Sequence, residues 1–401
     1  MNEAQNTVVV VGGGPAGLTA AIALAEAGVP TTLIGKRSAR PDNRTTALLG
    51  GSVTALTALG VWETCAPHAA PLRVMRIVDD TGRLWRAPEV KFEASEIGLE
   101  AFGYNIENRH LVGALEAKAA TLASLRMIEG EANAIDPDRG GVAVRLKDGA
   151  ALNAPLVIGA DGRKSLARAA ARITFNERRY PQTALTLNLN HSRPHRDTST
   201  EFHTASGPFT LVPLPGQRSS LVFALDPAAA EQMSALDDAA LSDEIERRSH
   251  SIAGKIAVEP GRGLFPIAGA TAEAFAARRI ALIGEAAHVI PPIGAQGLNL
   301  GLRDAASIAE IVVAAQRAGA DVGSAEVLAR YERQRRTDVA SRALTVDLLN
   351  RSLLSDFLPV QGARGLGLYF MDRIGPLRRA AMRESIAPAS NQPRLMRGEA
   401  L

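Results

Sequence analysis

Apolar positions along the chain follow two different rhythms. Thr7 to Val11 is an unbroken β-branched run, the pattern of a strand buried on both faces. A glycine-rich turn, Gly12 to Gly17, follows it. Leu18 to Ala27 then has helical spacing and stops near Gly28, and Thr31 to Ile34 is a second strand. Strand, helix and strand in that order predict a βαβ unit, and so a parallel sheet covered by helices. Residues 52–66 and 109–124 are expected as helices, with short strands over 72–92 and 141–160. From Thr183 to Asn190 the rhythm changes to strict alternation, the period of a half-buried strand. It recurs near 199–204, 208–214 and 218–225, which predicts an antiparallel sheet of a different kind. A helix is expected over 237–250; Arg279 to Gly284 returns to a buried strand, and helices are expected over 297–318 and 324–350.

The fold class that follows is α/β: a doubly wound, Rossmann-like dinucleotide-binding domain with an inserted antiparallel-sheet domain and a C-terminal helical segment. The first domain is expected to be discontinuous, over 1–72, 104–172 and 276–345. The inserted domain takes 73–103 and 173–275, the helical segment 346–401, and the tail beyond 388 is expected to fray.

Composition narrows the class. At 401 residues, two to three domains are expected. With 10 Phe, 4 Tyr and 2 Trp, the core has to be aliphatic. The single cysteine, Cys65, excludes an internal disulfide and any multi-cysteine metal site, which suits a reducing cytoplasm. A net charge of +3 gives no argument for nucleic acid. The charge is uneven, however. Residues 326–401 hold 13 arginines against 8 acids, which suits either a solvated helical surface or attraction to an acidic partner or anionic lipid. The apolar stretch 8–29 is interrupted by Gly12-Gly13-Gly14-Pro15, and the residues before it carry no base, so neither a membrane span nor a secretory signal is expected.

Three segments carry candidate chemistry. Gly12, Gly14 and Gly17 form G-x-G-x-x-G between a strand and a helix. In that context the glycines permit a tight turn, close approach of a pyrophosphate and close helix packing, and the helix N-terminus favours the anion. The carboxylate that commonly closes the second strand is missing, because the chain reads Leu33-Ile34-Gly35-Lys36-Arg37. A cationic pair there would suit a 2′-phosphate. The second segment is Gly159-Ala160-Asp161-Gly162-Arg163, whose carboxylate serves either a cofactor or an ordinary Asp-Gly turn. The third, Gly284-Glu285-Ala286-Ala287-His288, leads into a Gly-rich loop from Pro291 to Gly301 and then a helix. Such a loop presents backbone N–H groups to an anion, which suits the electron-rich edge of a reduced flavin.

Together these segments resemble the single-component FAD-dependent aromatic monooxygenases, with the strongest likeness to the ubiquinone-biosynthesis hydroxylases. The likeness covers roughly residues 7–380, and Arg44-Thr45-Thr46-Ala47-Leu48 and Asn105-Ile106-Glu107-Asn108-Arg109 also match in place. The resemblance implies bound FAD, NAD(P)H as reductant, and dioxygen as the source of the oxygen added to an aromatic ring. By position it implies that Gly12, Gly14, Pro15, Ala16 and Gly17 hold the pyrophosphate and that Arg44 and Arg109 contact FAD. Asp161 would serve both FAD and the nicotinamide cofactor, and Gly284 and Glu285 would bind cofactor hydroxyls. Pro292, Gly294, Gln296, Gly297, Leu298 and Asn299 would line the isoalloxazine ring. Gly35 stands where many members have a ribose-binding Glu, and Glu285 where most have Asp.

The substrate this implies is an aromatic, prenylated molecule of ubiquinone biosynthesis; a small soluble phenol, or an accessory role without catalysis, are the alternatives. No metal is expected, since His191, His195 and His203 are too loosely spread. His288 is either a proton relay or a residue orienting the loop, and no catalytic base is identified. Leu366, Phe370, Ile374 and Leu377 share a helical face near Arg373, Arg378, Arg379 and Arg383, and Leu353, Leu354, Phe357 and Leu358 form another apolar cluster. These either pack on the protein's own domains or dock at a membrane or a biosynthetic complex. The expected location is the cytoplasm, with peripheral contact at the inner membrane as the alternative.

Overall fold

The computed structural model describes residues 7–36, 43–82, 86–292, 294–354, 366–367, 369–370, 373–386 and 392–401. Its first sheet has six strands in the order Ala276–Ala277, Ile280–Leu282, Val157–Gly159, Val8–Val11, Thr31–Gly35 and Leu125–Glu129. All pairs are parallel except the first, a short hairpin. Val11 pairs with Gly159 on one side and Ile34 on the other, and Gly159 with Leu282. The carboxyl ends of these strands are therefore level. The chain order reverses at Val8–Val11, which opens a crevice at that edge, where ligands bind in doubly wound sheets. Helices Pro15–Glu26 and Gln296–Arg317 pack together over it. Val8 to Val10, Leu18, Ile22, Leu24, Ile158 and Leu282 are buried in one aliphatic cluster.

The second sheet has nine strands, built round the long strand Phe175–His191. It is antiparallel except where Thr198–Thr204 runs parallel to Val74–Asp79. Leu185, Leu187 and Leu189 pack in a separate core with Leu241 and Ile245 of the helix Asp238–Arg248. The alternate residues, Ala184, Thr186 and Asn188, face a cavity instead. Period-2 alternation thus divides this sheet into a core face and a ligand face.

Two findings concern the C-terminal segment. The tail does not fray throughout: Arg394–Arg397 forms a 3₁₀ turn with Leu395 and Met396 buried in the first core. Its backbone is tied down as well, since Arg394 N–H donates to Glu310 (2.9 Å). An apolar pair with a core to enter outweighs the polar residues around it. The apolar cluster of Leu353, Leu354, Phe357 and Leu358 lies outside the described side chains, as does Arg37. Cys65 is buried, and burial pushes its thiol up to about 11, so it stays protonated and inert near neutral pH.

Candidate active site

The glycine turn is shaped by its contacts. Gly12 has φ +123°, and a Cβ there would be driven into the Ala160 carbonyl oxygen. A Cβ on Gly17 would meet the Gly12 carbonyl in the same way. Gly14 differs, since a Cβ added to it meets nothing within 4 Å. It caps the helix Pro15–Glu26 with no side-chain hydrogen bond and no acid in the first turn. Pro15 has no N–H to satisfy, and the N–H groups behind it have no side-chain acceptor from the cap. Ala16 lies at the helix crossing, where a Cβ on Gly284 or Gly301 would come within 3.3 and 3.4 Å of its Cβ. The geometry fits a pyrophosphate lying across Gly14. Gly14→Ala should therefore leave the melting temperature of the cofactor-free protein within about 2 °C, yet weaken FAD binding by about tenfold or more, some 1.4 kcal/mol. Equal FAD titration curves for the two proteins would contradict this.

Gly35 has a steric reason. A Cβ there would lie 2.6 Å from both N and Cα of Gly13, so a side chain at the end of the second strand needs the turn to move. The carboxylate beside this strand end belongs to Glu131 instead. Lys147 and Lys36 (2.6 Å) both bind it, and these hydrogen bonds hold its carboxyl down at about 2.

The other anticipated residues separate. Arg44 lines the cavity with its guanidinium 5.2 Å from the centre of the Phe265 ring. Arg109 pairs with Glu107 (2.9 Å), a buried carboxylate that Asn188 and Arg218 also reach. Asp161 caps the following turn, accepting from Ser165 Oγ (2.6 Å) and Ala167 N–H (3.0 Å). Glu285 lies at the cavity rim near Arg163 (3.5 Å) with its side chain 59% exposed, so its extra methylene meets no obstacle.

Pro292, Gly294, Gln296, Gly297 and Leu298 all line the cavity at the start of the helix Gln296–Arg317. This helix also begins without a side-chain cap or an early acid, behind Ala295 at φ +55°. Its unpaired N–H groups and dipole favour negative charge at the cavity wall. Asn299 does not share that surface. Its oxygen accepts from Leu49 N–H (2.8 Å) and Ser52 Oγ (2.7 Å), and its nitrogen donates to the carbonyls of Ala47 (2.8 Å) and Ala295 (2.6 Å). It clamps the loop to the strand Thr45–Leu49. Gln296 is held from behind, accepting from Arg342 (3.0 Å).

A buried ion network that the sequence reading missed lies beneath this loop. His288 and Asp304 are fully buried, with Nε2 2.6 Å from Oδ2. The same carboxylate accepts from Gly284 N–H (3.0 Å) and from Arg335 (2.7 Å), whose side chain is 2% exposed. Arg335 also binds Asp338 (2.6 Å), which in turn holds Arg303 and Arg342 at 3.0 Å. Burial works against ionising Asp304, but His288 and Arg335 outweigh it and hold the carboxyl below its ordinary range. His288 thus orients the loop through Asp304. An acid on the buried face of a predicted helix was the signal available.

The cavity measures about 610 Å³, within the range of small-molecule sites. Its polar lining includes Asn105, Thr45 and Ser220, where Ser220 Oγ accepts from Thr45 (2.8 Å) and Asn105 (3.2 Å). Its apolar part is Met75, Phe92, Phe102 and Met382, the last from the helix Gly375–Ile386.

Known proteins match the whole arrangement. The family described as FAD binding domain matches residues 5–346. The ubiquinone hydroxylase UbiL of Rhodospirillum rubrum is 35% identical over 98% of this chain and 92% of its own length. The 3-demethoxyubiquinol 3-hydroxylase of Escherichia coli is 30% identical over 96% of this chain and its full length. In fold, Klebsiella pneumoniae HpxO, solved with FAD and uric acid, superposes with a TM-score of 0.76 at 20% identity, covering 97% of this chain and 100% of its own.

Proposed function

We propose, from the premise that this chain belongs to the FAD binding domain family and is an FAD-dependent monooxygenase, that its substrate is a polyprenylated phenol or quinol ring of ubiquinone biosynthesis. The observation that carries this reading is the mixed lining of the cavity. Part of it is the uncapped loop at Gly294 to Leu298, and part is the apolar group Met75, Phe92, Phe102 and Met382. A polar ring with an apolar tail matches that division. The relatives named as ubiquinone hydroxylases support the same class.

FAD, when bound, supplies the reductive activation of dioxygen at the expense of NAD(P)H. The chain's own residues supply binding and orientation. Gly12, Gly14, Ala16 and Gly17 hold the pyrophosphate, and Pro15 starts the helix that faces it. The start of the helix Gln296–Arg317 stabilises negative charge on the flavin edge, and Asn299 fixes that start in place. Arg44 reaches the cofactor from the cavity wall. The sheet floor and the helix Gly375–Ile386 exclude water from the ring.

The test is direct. Purified protein should carry near-stoichiometric FAD. A farnesylated phenol should stimulate NAD(P)H oxidation and yield a product one oxygen heavier. A preference for small soluble phenols would replace the substrate class, and FAD-loaded protein that forms no product with either would favour an accessory subunit.

Membrane contact is part of this reading. Among the described residues no helix is long and apolar enough to cross a membrane. Yet Leu344, Leu348, Leu366, Phe370, Ile374 and Leu377 are all exposed, and exposed Arg373, Arg379 and Arg383 accompany them. This surface suits peripheral contact with an anionic bilayer on its cytoplasmic side. Co-sedimentation should be clear with vesicles containing anionic lipid and weaken in high salt; equal recovery without vesicles would refute it.

A further inference from the structure

The registers of the second sheet arrange the cavity floor in rows. Val212, Ser220 and Asn188 lie side by side. One row along the strands come Ile77, Glu201, Thr210, Val222 and Thr186. Among the described residues, Glu201 and Glu285 are the two carboxylates lining the cavity. Glu285 is at the rim, while the Glu201 side chain, 22% exposed, stands on the floor.

Glu201 is held from the side by neighbours on the same face of the sheet, His203 two residues along its strand and Thr210 directly across from it. Its Oε1 lies 2.8 Å from Nε2 of His203, whose side chain is 3% exposed, and its Oε2 accepts from Thr210 Oγ at 3.4 Å. An ionised carboxylate only accepts, so the imidazole Nε2 carries the proton. The other ring nitrogen, Nδ1, is buried with no hydrogen-bond partner. A second proton there would be buried without an acceptor, so the arrangement suits a neutral imidazole donating to a charged carboxylate. A carboxylate has about four lone-pair sites, and His203 and Thr210 use two of them. The others are left for a ligand in the cavity. Two other acids near this corner are occupied elsewhere: Asp79, opposite His203, accepts from Thr81 and Ala87, and Glu89 binds Arg76.

We propose that Glu201, held by His203 and Thr210, accepts the hydroxyl proton of the aromatic substrate during ring oxygenation. The inference rests on the hydroxylase reading above and supplies the base that reading lacks. Dioxygen, reduced by two electrons from NAD(P)H, breaks at its O–O bond, one oxygen atom going to a ring carbon and the other leaving as water. As that C–O bond forms, positive charge spreads to the carbon bearing the hydroxyl, and its O–H becomes far more acidic than in a resting phenol. Its O–H bond breaks, the electron pair becomes the second bond of a ring carbonyl, and the proton goes to the Glu201 carboxylate. When the hydroxylated carbon loses its own hydrogen as a proton to water, the ring regains aromaticity and Glu201 returns its proton to the carbonyl oxygen. The carboxylate ends as it began.

The test compares the FAD-loaded wild-type enzyme with Glu201→Gln and Glu201→Asp on 2-farnesylphenol and its O-methyl ether, in detergent micelles. FAD content and the rate of flavin reduction by NAD(P)H should stay within about twofold in Glu201→Gln. Product from the phenol should fall about 100-fold, with the lost oxygen appearing as hydrogen peroxide. The wild-type preference for phenol over ether should collapse to near one, an effect that general damage to the cavity would not produce. Should the glutamine variant fail to hold FAD, the aspartate variant decides: its retracted carboxylate should give a partial loss and an intermediate preference. A variant that hydroxylates the phenol as well as wild type, or keeps the wild-type preference, overturns the role of Glu201 and leaves the hydroxylase reading intact. Wild-type enzyme holding FAD but hydroxylating neither compound overturns both.

Discussion

Asp304→Asn should destabilise the protein by about 3 kcal/mol, the cost of taking from a buried cation one of its two carboxylate partners. The residue left behind is Arg335, 2% exposed at its side chain, and His288 and the Gly284 N–H would share a poorer acceptor. Urea unfolding at fixed FAD concentration measures this directly. Adding Arg335→Leu to the variant should recover part of the loss, because the buried cation that lost a carboxylate is then gone, while Asp338 keeps Arg303 and Arg342. A change under about 1 kcal/mol would mean that the network is not dry. The pH dependence has a definite sign. Asp304 and Asp338 both sit below the ordinary carboxyl range in the folded protein; burial opposes this, and the cations around each outweigh it. Their contribution is therefore complete above the unfolded value, about 3.9, and is lost as pH falls through the lower folded values. Wild-type stability should drop on acidification, and Asp304→Asn should show a shallower drop.

Asn299→Leu should weaken FAD binding by about 100-fold, corresponding to about 2.7 kcal/mol. The side chain makes four hydrogen bonds that hold the start of the helix Gln296–Arg317 against Leu49 and Ser52. Leucine fills the space and leaves the Leu49 N–H and the carbonyls of Ala47 and Ala295 without their partner, at about 1–3 kcal/mol each. The cheapest relief is for the loop to move, and the loop is the proposed wall of the flavin. Asn299→Asp keeps both accepted bonds and loses the donated pair, so it should fall between. FAD titration by fluorescence quenching distinguishes the three proteins, and an unchanged affinity in the leucine variant would show that the clamp does not position the site.

What could be read in advance was local. The strand, glycine turn and helix from Val8 to Glu26 declare themselves by period and by residues with special backbone freedom. The alternation from Thr183 to Asn190 announced a half-buried strand, and the Gly-rich loop after His288 announced a helix start that presents N–H groups to an anion. Side-chain assignments were less legible. Arg109 and Asp161 stand at the positions the resemblance singles out, yet their charges are engaged by Glu107 and by Ser165 with Ala167. Asn299 belongs to the same loop as Gln296 but faces the protein. Leu395 and Met396 sit in a polar tail, and nothing nearby in the chain indicates that a core will receive them.

The sequence by itself determined the order of elements, the dinucleotide turn and the class of cofactor chemistry. The first two rest on residues within a few positions of one another, and the third on the resemblance that the motif segments carry. Only the tertiary structure decided that His288, Asp304 and Arg335 form one buried network, that Gly13 leaves no room for a side chain at Gly35, and that Glu201 and the loop from Gly294 to Leu298 line one cavity. The physical reason is that a charge acquires its partner through packing and strand register. These join residues far apart in the chain, and no local pattern records them.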